Sequence, residues 1–123
     1  MYKLRVRSEF SAAHNLREYR GKCEALHGHN WKVEAALAAR DVGRDGLAMD
    51  FHVIKRTLKK ILGELDHAYL NELPYFKKQN PTSENLARYI YEKLRISLRT
   101  AGCELHEVTV WESDNCSATY DER

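Results

Sequence analysis

From Tyr2 to Ala12 apolar side chains recur at every second position. Tyr2, Leu4, Val6, Phe10 and Ala12, with Ser8 among them, alternate with Lys3, Arg5, Arg7 and Glu9. A period of two predicts a strand with one face buried, and that even face ends on His14. Alternation resumes on the odd positions at His27, through His29, Trp31, Val33, Ala35 and Leu37, with Asn30, Lys32 and Glu34 between them. A second strand is expected there, its apolar face opening on two histidines.

The period then changes. Phe51, Ile54, Leu58, Ile61, Leu62 and Leu65 fall at helical spacing behind Asp50, a good N-cap, with Lys55, Arg56, Lys59 and Lys60 on the other side. A second helix is expected after Asn80-Pro81, capped by Thr82 or Ser83 and running through Leu86, Ala87, Ile90, Leu94 and Leu98 to a stop near Gly102. Strand signals return with Val108 and Val110, which share a face with Glu112. A turn at Ser113-Asp114-Asn115 leads to a short partner strand, Asn115 to Tyr120.

The order ββααββ predicts an α+β fold, a four-stranded antiparallel sheet with two helices on one face. Such a sheet leaves open edges, so assembly of copies through strand pairing is expected.

Composition narrows the class. The 123 residues, 43% hydrophobic and 31% charged, suit one soluble domain covering 1–123. A net charge of +2 gives no reason to expect nucleic acid or a membrane surface as partner. No apolar run reaches the roughly 18 to 20 residues of a membrane span, and the N-terminus alternates instead of showing a signal peptide's apolar block. Three scattered cysteines, Cys23, Cys103 and Cys116, make no disulfide framework and fit a reducing, cytoplasmic setting.

Side chains two apart on a strand point the same way, so His27 and His29 project together. If the first two strands form a hairpin, His14 joins them, and Asn15 to Leu26 becomes a long connection of the kind that often carries function. Three imidazoles at one end of a sheet can hold Zn²⁺ and leave a fourth position for water or substrate. Cys23 either closes that tetrahedron or stands beside the metal as a base, since a thiol next to a cation gives up its proton more readily. Asp66 and His67 form an acid/base candidate in which the carboxylate orients the imidazole. Glu112, ending an apolar strand face, can accept paired N–H groups from a heterocycle.

The stretches FSAAH (Phe10 to His14), CEALHGH (Cys23 to His29), LDH (Leu65 to His67), PTSEN (Pro81 to Asn85) and WES around Glu112 together resemble the 6-pyruvoyltetrahydropterin synthase and 6-carboxytetrahydropterin synthase family. The resemblance runs in order along nearly the whole chain. Three residues separate Cys23 from His27, as in the queuosine-pathway branch that makes 6-carboxy-5,6,7,8-tetrahydropterin, acetaldehyde and triphosphate from 7,8-dihydroneopterin triphosphate. The biopterin branch has five, and a folate-linked branch carries glutamate where this chain has Cys23. The resemblance implies that His14, His27 and His29 bind zinc, that Cys23 is a catalytic base, and that Asp66 with His67 is a second proton relay. It also implies that Glu112 anchors the pterin and that Thr82 and Ser83 lie in the pterin pocket. The fold it implies is the tunnelling fold (T-fold), in which the sheets of several copies close a barrel and trimers stack into a homohexamer. Arg17, Arg20 and Lys22 are candidate partners for the triphosphate.

The nearest rival keeps the site and changes the product, a 6-pyruvoyltetrahydropterin synthase that only eliminates triphosphate. Rivals of other classes are a noncatalytic module around a closed Cys-His₃ zinc, and a hydrolase with Cys23 as nucleophile.

Overall fold

The computed structural model describes residues 1–19, 21–100 and 102–123. Four strands lie in sequence order in one antiparallel sheet: β1 (Tyr2–His14), β2 (His27–Ala39), β3 (Cys103–Ser113) and β4 (Cys116–Tyr120). Two helices, α1 (Phe51–Gly63) and α2 (Ser83–Ser97), separate β2 from β3. Both pack on the same sheet, α1 against β1 and α2 against β3 and β4.

The alternation read along β1 and β2 is the alternation of burial. Val6, Phe10, Ala12 and His14 face the helices from β1, and Trp31, Val33, Ala35, Leu37 and Ala39 from β2. Ile54, Leu58, Ile61 and Leu62 of α1, and Leu86, Ala87, Ile90 and Leu94 of α2, close the core from above. Each such leucine, isoleucine or valine side chain contributes about 1.5–3 kcal/mol on burial. Phe51 departs from the helical pattern: in the first turn of α1 it is half exposed and stays out of the core.

Local chemistry sets the helix starts. Asp50 Oδ1 accepts the His52 backbone N–H at 2.8 Å, and Thr82 Oγ1 accepts that of Asn85 at 3.1 Å, so Thr82 and not Ser83 caps α2. The end of α2 differs from the sequence expectation. It stops at Ser97, with Leu98 already outside helical geometry at φ −113° and ψ 51°, and Gly102, at φ +84°, serves instead a later turn in which Cys103 N–H donates to the Thr100 carbonyl and leads into β3. Two short 3₁₀ turns, Leu70–Glu72 and Pro74–Phe76, occupy the segment between the helices and had no signal in the periodicity.

Candidate metal centre

The β1–β2 register places His14 directly opposite His27, and His29 opposite Ala12. His14 and His29 project from the core face with their rings at 5.1 Å, while His27 closes the triangle at 4.7 Å from His14 and 4.8 Å from His29. Trp31 lies beneath, edge-on to both His14 and His29, and is anchored by its indole N–H to the Ala12 carbonyl at 3.2 Å. Phe10 stacks behind it. An apolar floor of this kind limits water around the imidazoles.

Two backbone carbonyls fix the tautomers. His14 Nδ1–H donates to the Pro81 carbonyl at 2.7 Å, and His27 Nδ1–H to the Ala25 carbonyl at 2.9 Å. A carbonyl can only accept, so in the neutral rings both protons sit on Nδ1 and both Nε2 atoms present lone pairs. Those two Nε2 atoms are 3.1 Å apart. Lone pairs at that separation repel unless a cation lies between or beside them, which is the donor arrangement a divalent metal satisfies.

Glu112 completes the group. β3 carries an extra residue between its pairings Trp111–Ser117 and Ser113–Cys116, and this bulge sits at Glu112. Its Oε1 lies 2.9 Å from His29 Nε2 and 3.5 Å from His14 Nε2. His29 Nε2 is buried, and the carboxylate lies off the line of a hydrogen bond to it. Burial pushes the His29 imidazole below its usual pKa, with the neighbouring His14 and His27 acting in the same direction and Glu112 opposing them. The neutral, ligating form is therefore favoured. Among the described residues, the ligand atoms of His14, His27, His29 and Glu112 fall within 4.8 Å of one another and could hold a metal ion.

Cys23 is exposed in the loop and is not part of that group. A closed Cys-His₃ site therefore has no support in the geometry. Asp66 and His67 lie elsewhere, paired with the outer edge of β1. Ser11 N–H donates to Asp66 Oδ1 at 2.9 Å, His67 N–H donates to the Ser11 carbonyl, and Ala13 N–H to that of Ala68. His67 Nδ1 is 3.0 Å from Asp66 Oδ2, and its backbone is held at φ +59°, a conformation uncommon for a residue with a side chain. The Ser11 N–H bond, then the His67 contact, holds the Asp66 carboxyl below its ordinary pKa. His67 is 83% exposed, and no hydrogen bond or ion pair among the described residues joins the dyad to the histidine cluster. Thr82 and Ser83 follow Pro81 and are half-buried at the start of α2, beside the carbonyl that holds His14.

Of the loop cations, Arg17 differs from expectation. Arg17 is not free for phosphate: its guanidinium donates to the carbonyls of Asn71, Phe76 and Gln79. Lys22 is exposed, and Arg20 lies outside the described residues. Sequence reasoning missed the Pro81 and Ala25 carbonyls, since a backbone acceptor leaves no mark in residue identity.

The model of the family described as 6-pyruvoyl tetrahydropterin synthase matches residues 3–123. The chain belongs to that family. Membership makes it an enzyme of the tetrahydropterin synthase type, which removes the noncatalytic module from consideration. It is 38% identical over 117 residues, 90% of this chain and 86% of the relative, to a 6-carboxy-5,6,7,8-tetrahydropterin synthase of Synechocystis sp.. Other relatives of that name extend down to 27% identity. It is also 32% identical, over 88% of this chain and 87% of the relative, to a dihydroneopterin monophosphate aldolase of Pyrococcus furiosus. The solved 6-pyruvoyl tetrahydropterin synthase of Caenorhabditis elegans superposes with a TM-score of 0.86 at 25% identity, covering 99% of this chain and 96% of that one. The fold is the tunnelling fold. No helix among the described residues is long and apolar enough to cross a membrane.

Proposed function

We propose that this chain, acting as one domain over residues 1–123, is a zinc-dependent 6-carboxy-5,6,7,8-tetrahydropterin synthase. With one water consumed, it converts 7,8-dihydroneopterin triphosphate to 6-carboxy-5,6,7,8-tetrahydropterin, acetaldehyde and triphosphate, in the cytoplasm and toward queuosine. The observation that carries the reading is the cluster of His14, His27 and His29 with Cys23 left outside it, so that the thiol is available for proton transfer. Three imidazoles suit Zn²⁺ and leave a coordination position for substrate oxygen.

When bound there, zinc supplies Lewis-acid polarisation of the substrate's side-chain hydroxyls. Cys23 would take a proton from a carbon of the substrate side chain, and His67, oriented by Asp66, would move a proton on the opposite side, so that triphosphate leaves and the side chain is cleaved. Glu112 accepts the amino-pyrimidine N–H groups of the pterin, and Thr82 and Ser83 border its pocket. Because the dyad is held against the outer edge of β1, with His67 exposed and unlinked to the histidines, the complete site is read as shared between copies in a trimer or hexamer.

Incubating the protein with dihydroneopterin triphosphate tests this. Release of acetaldehyde and triphosphate in equal amounts is expected. Triphosphate without acetaldehyde would assign it as a 6-pyruvoyltetrahydropterin synthase instead. The likeness to the Pyrococcus aldolase supports a second reading, cleavage of a monophosphate substrate, and turnover of dihydroneopterin monophosphate in preference to the triphosphate would favour it.

A further inference from the structure

The connection Asn15 to Leu26 and the segment Asn71 to Pro81 each supply one of the carbonyls that orient the imidazoles. The described residues of both lie outside the sheet and outside α1 and α2, so their backbone groups need partners from outside regular ladders. Arg17 provides them. One guanidinium nitrogen donates to Asn71 O at 2.9 Å and Phe76 O at 2.6 Å, and another to Gln79 O at 3.3 Å. The Arg17 backbone is paired as well: its N–H donates to Asn80 Oδ1 at 2.9 Å, and its carbonyl accepts from Asn80 Nδ2 at 3.2 Å. Asn80 mimics a neighbouring strand, and its own carbonyl is held by Asn85 Nδ2 at 2.8 Å and Thr82 N–H at 2.9 Å. The next residue is Pro81, whose carbonyl receives His14 Nδ1–H.

A second set of bonds ties the same two segments together one step away. Asn71 Nδ2 donates to Asn15 O, Asn15 N–H to Asn71 Oδ1, and Asn15 Nδ2 to Glu24 O, immediately before Ala25. Arg17 sits between these bonds and Asn80.

We propose that Arg17 is a positioning residue of the metal centre: by gathering the carbonyls of Asn71, Phe76 and Gln79 and pairing its backbone with Asn80, it fixes the Pro81 carbonyl against His14 Nδ1. The direction in which His14 Nε2 offers its lone pair follows from that carbonyl. One of the three loop cations that were candidates for substrate phosphate instead aims a ligand. Outer partners of metal-bound histidines are worth about 10- to 100-fold in metal affinity, and Arg17 acts one bond further out, through the backbone.

The inference rests on the metal reading above, and the two fail separately. Co²⁺ titration of the wild-type 123-residue chain, followed by its visible absorption and by chelator competition, tests that reading. Uptake of about one ion per chain is required before the variants are read. Arg17→Ala is then expected to lose about 10-fold or more in Co²⁺ affinity with an altered visible spectrum, while circular dichroism and the unfolding midpoint of the metal-free protein show it folded. Lys77→Ala removes an exposed cation from the same segment and should change affinity by less than about twofold. Should Arg17→Ala fail to fold, Asn80→Ala and Arg17→Lys carry the same expectation of weakened affinity. Unchanged affinity and spectrum in a folded Arg17 variant, or an equal loss in Lys77→Ala, would overturn the inference.

Discussion

His14 and His27 face each other across the first β-ladder with their Nε2 atoms 3.1 Å apart, each ring's other nitrogen already committed to a backbone carbonyl. That relationship makes the pair a bidentate donor looking for a cation. Replacing either with alanine leaves two imidazoles and is expected to reduce bound zinc from about one per chain to a small fraction of that after dialysis. Metal analysis by mass spectrometry on folded protein checks it, and full retention in either variant would contradict the assignment.

Glu112 stands within reach of the metal group and is also the proposed pterin anchor. Glu112→Gln keeps the shape and removes the charge, so the two roles separate. As an anchor, its loss leaves zinc in place and lowers kcat/KM by about 10- to 100-fold, mostly through KM, the size expected for charge-assisted hydrogen bonds. Loss of zinc from the variant would instead make Glu112 a ligand.

His29 predicts a pH dependence for the metal-free protein. Its folded pKa lies below the ordinary 6.5, chiefly through burial. Well above 6.5 the ring is neutral in both folded and unfolded chains and does not affect stability. As pH falls through that value the unfolded chain takes up a proton that the folded site resists. Stability declines until pH passes the lower folded value. Urea unfolding between about pH 7.5 and 5 should show this decline, and Glu112→Gln, which removes the opposing influence, should extend it to lower pH.

Asp66 has the opposite arrangement. Its carboxyl is held below 3.8 by the Ser11 N–H and the His67 contact. Its stabilising contribution is complete above the unfolded value and is lost as pH falls through the lower folded one. Unfolding curves of wild type and Asp66→Asn should separate at neutral pH and converge at the acid end. Turnover of Asp66→Asn at neutral pH should fall by about 10²-fold or more if the dyad moves a proton. Unchanged turnover would remove it from the mechanism.

Much of this arrangement was legible in the chain because it depends on parity. Alternation identified the faces of β1 and β2, and parity brought His14, His27 and His29 to one end of one face. Capping chemistry located the starts of α1 and α2. What was not legible depends on backbone in three dimensions: the bulge that delivers Glu112, the Pro81 and Ala25 carbonyls, and the 3₁₀ turns whose carbonyls absorb Arg17. Gly102 read as a helix stop because glycine at positive φ serves caps and turns alike.

The central claim is that the thiol in CEALHGH works beside the metal and does not hold it. Zinc content and turnover of dihydroneopterin triphosphate, measured on the same preparation of Cys23→Ala, test it directly. About one zinc per chain with product formation reduced by at least about 10²-fold is expected for a lost base. Loss of zinc together with activity would make Cys23 a ligand, and full activity would make it a bystander; either result contradicts the account.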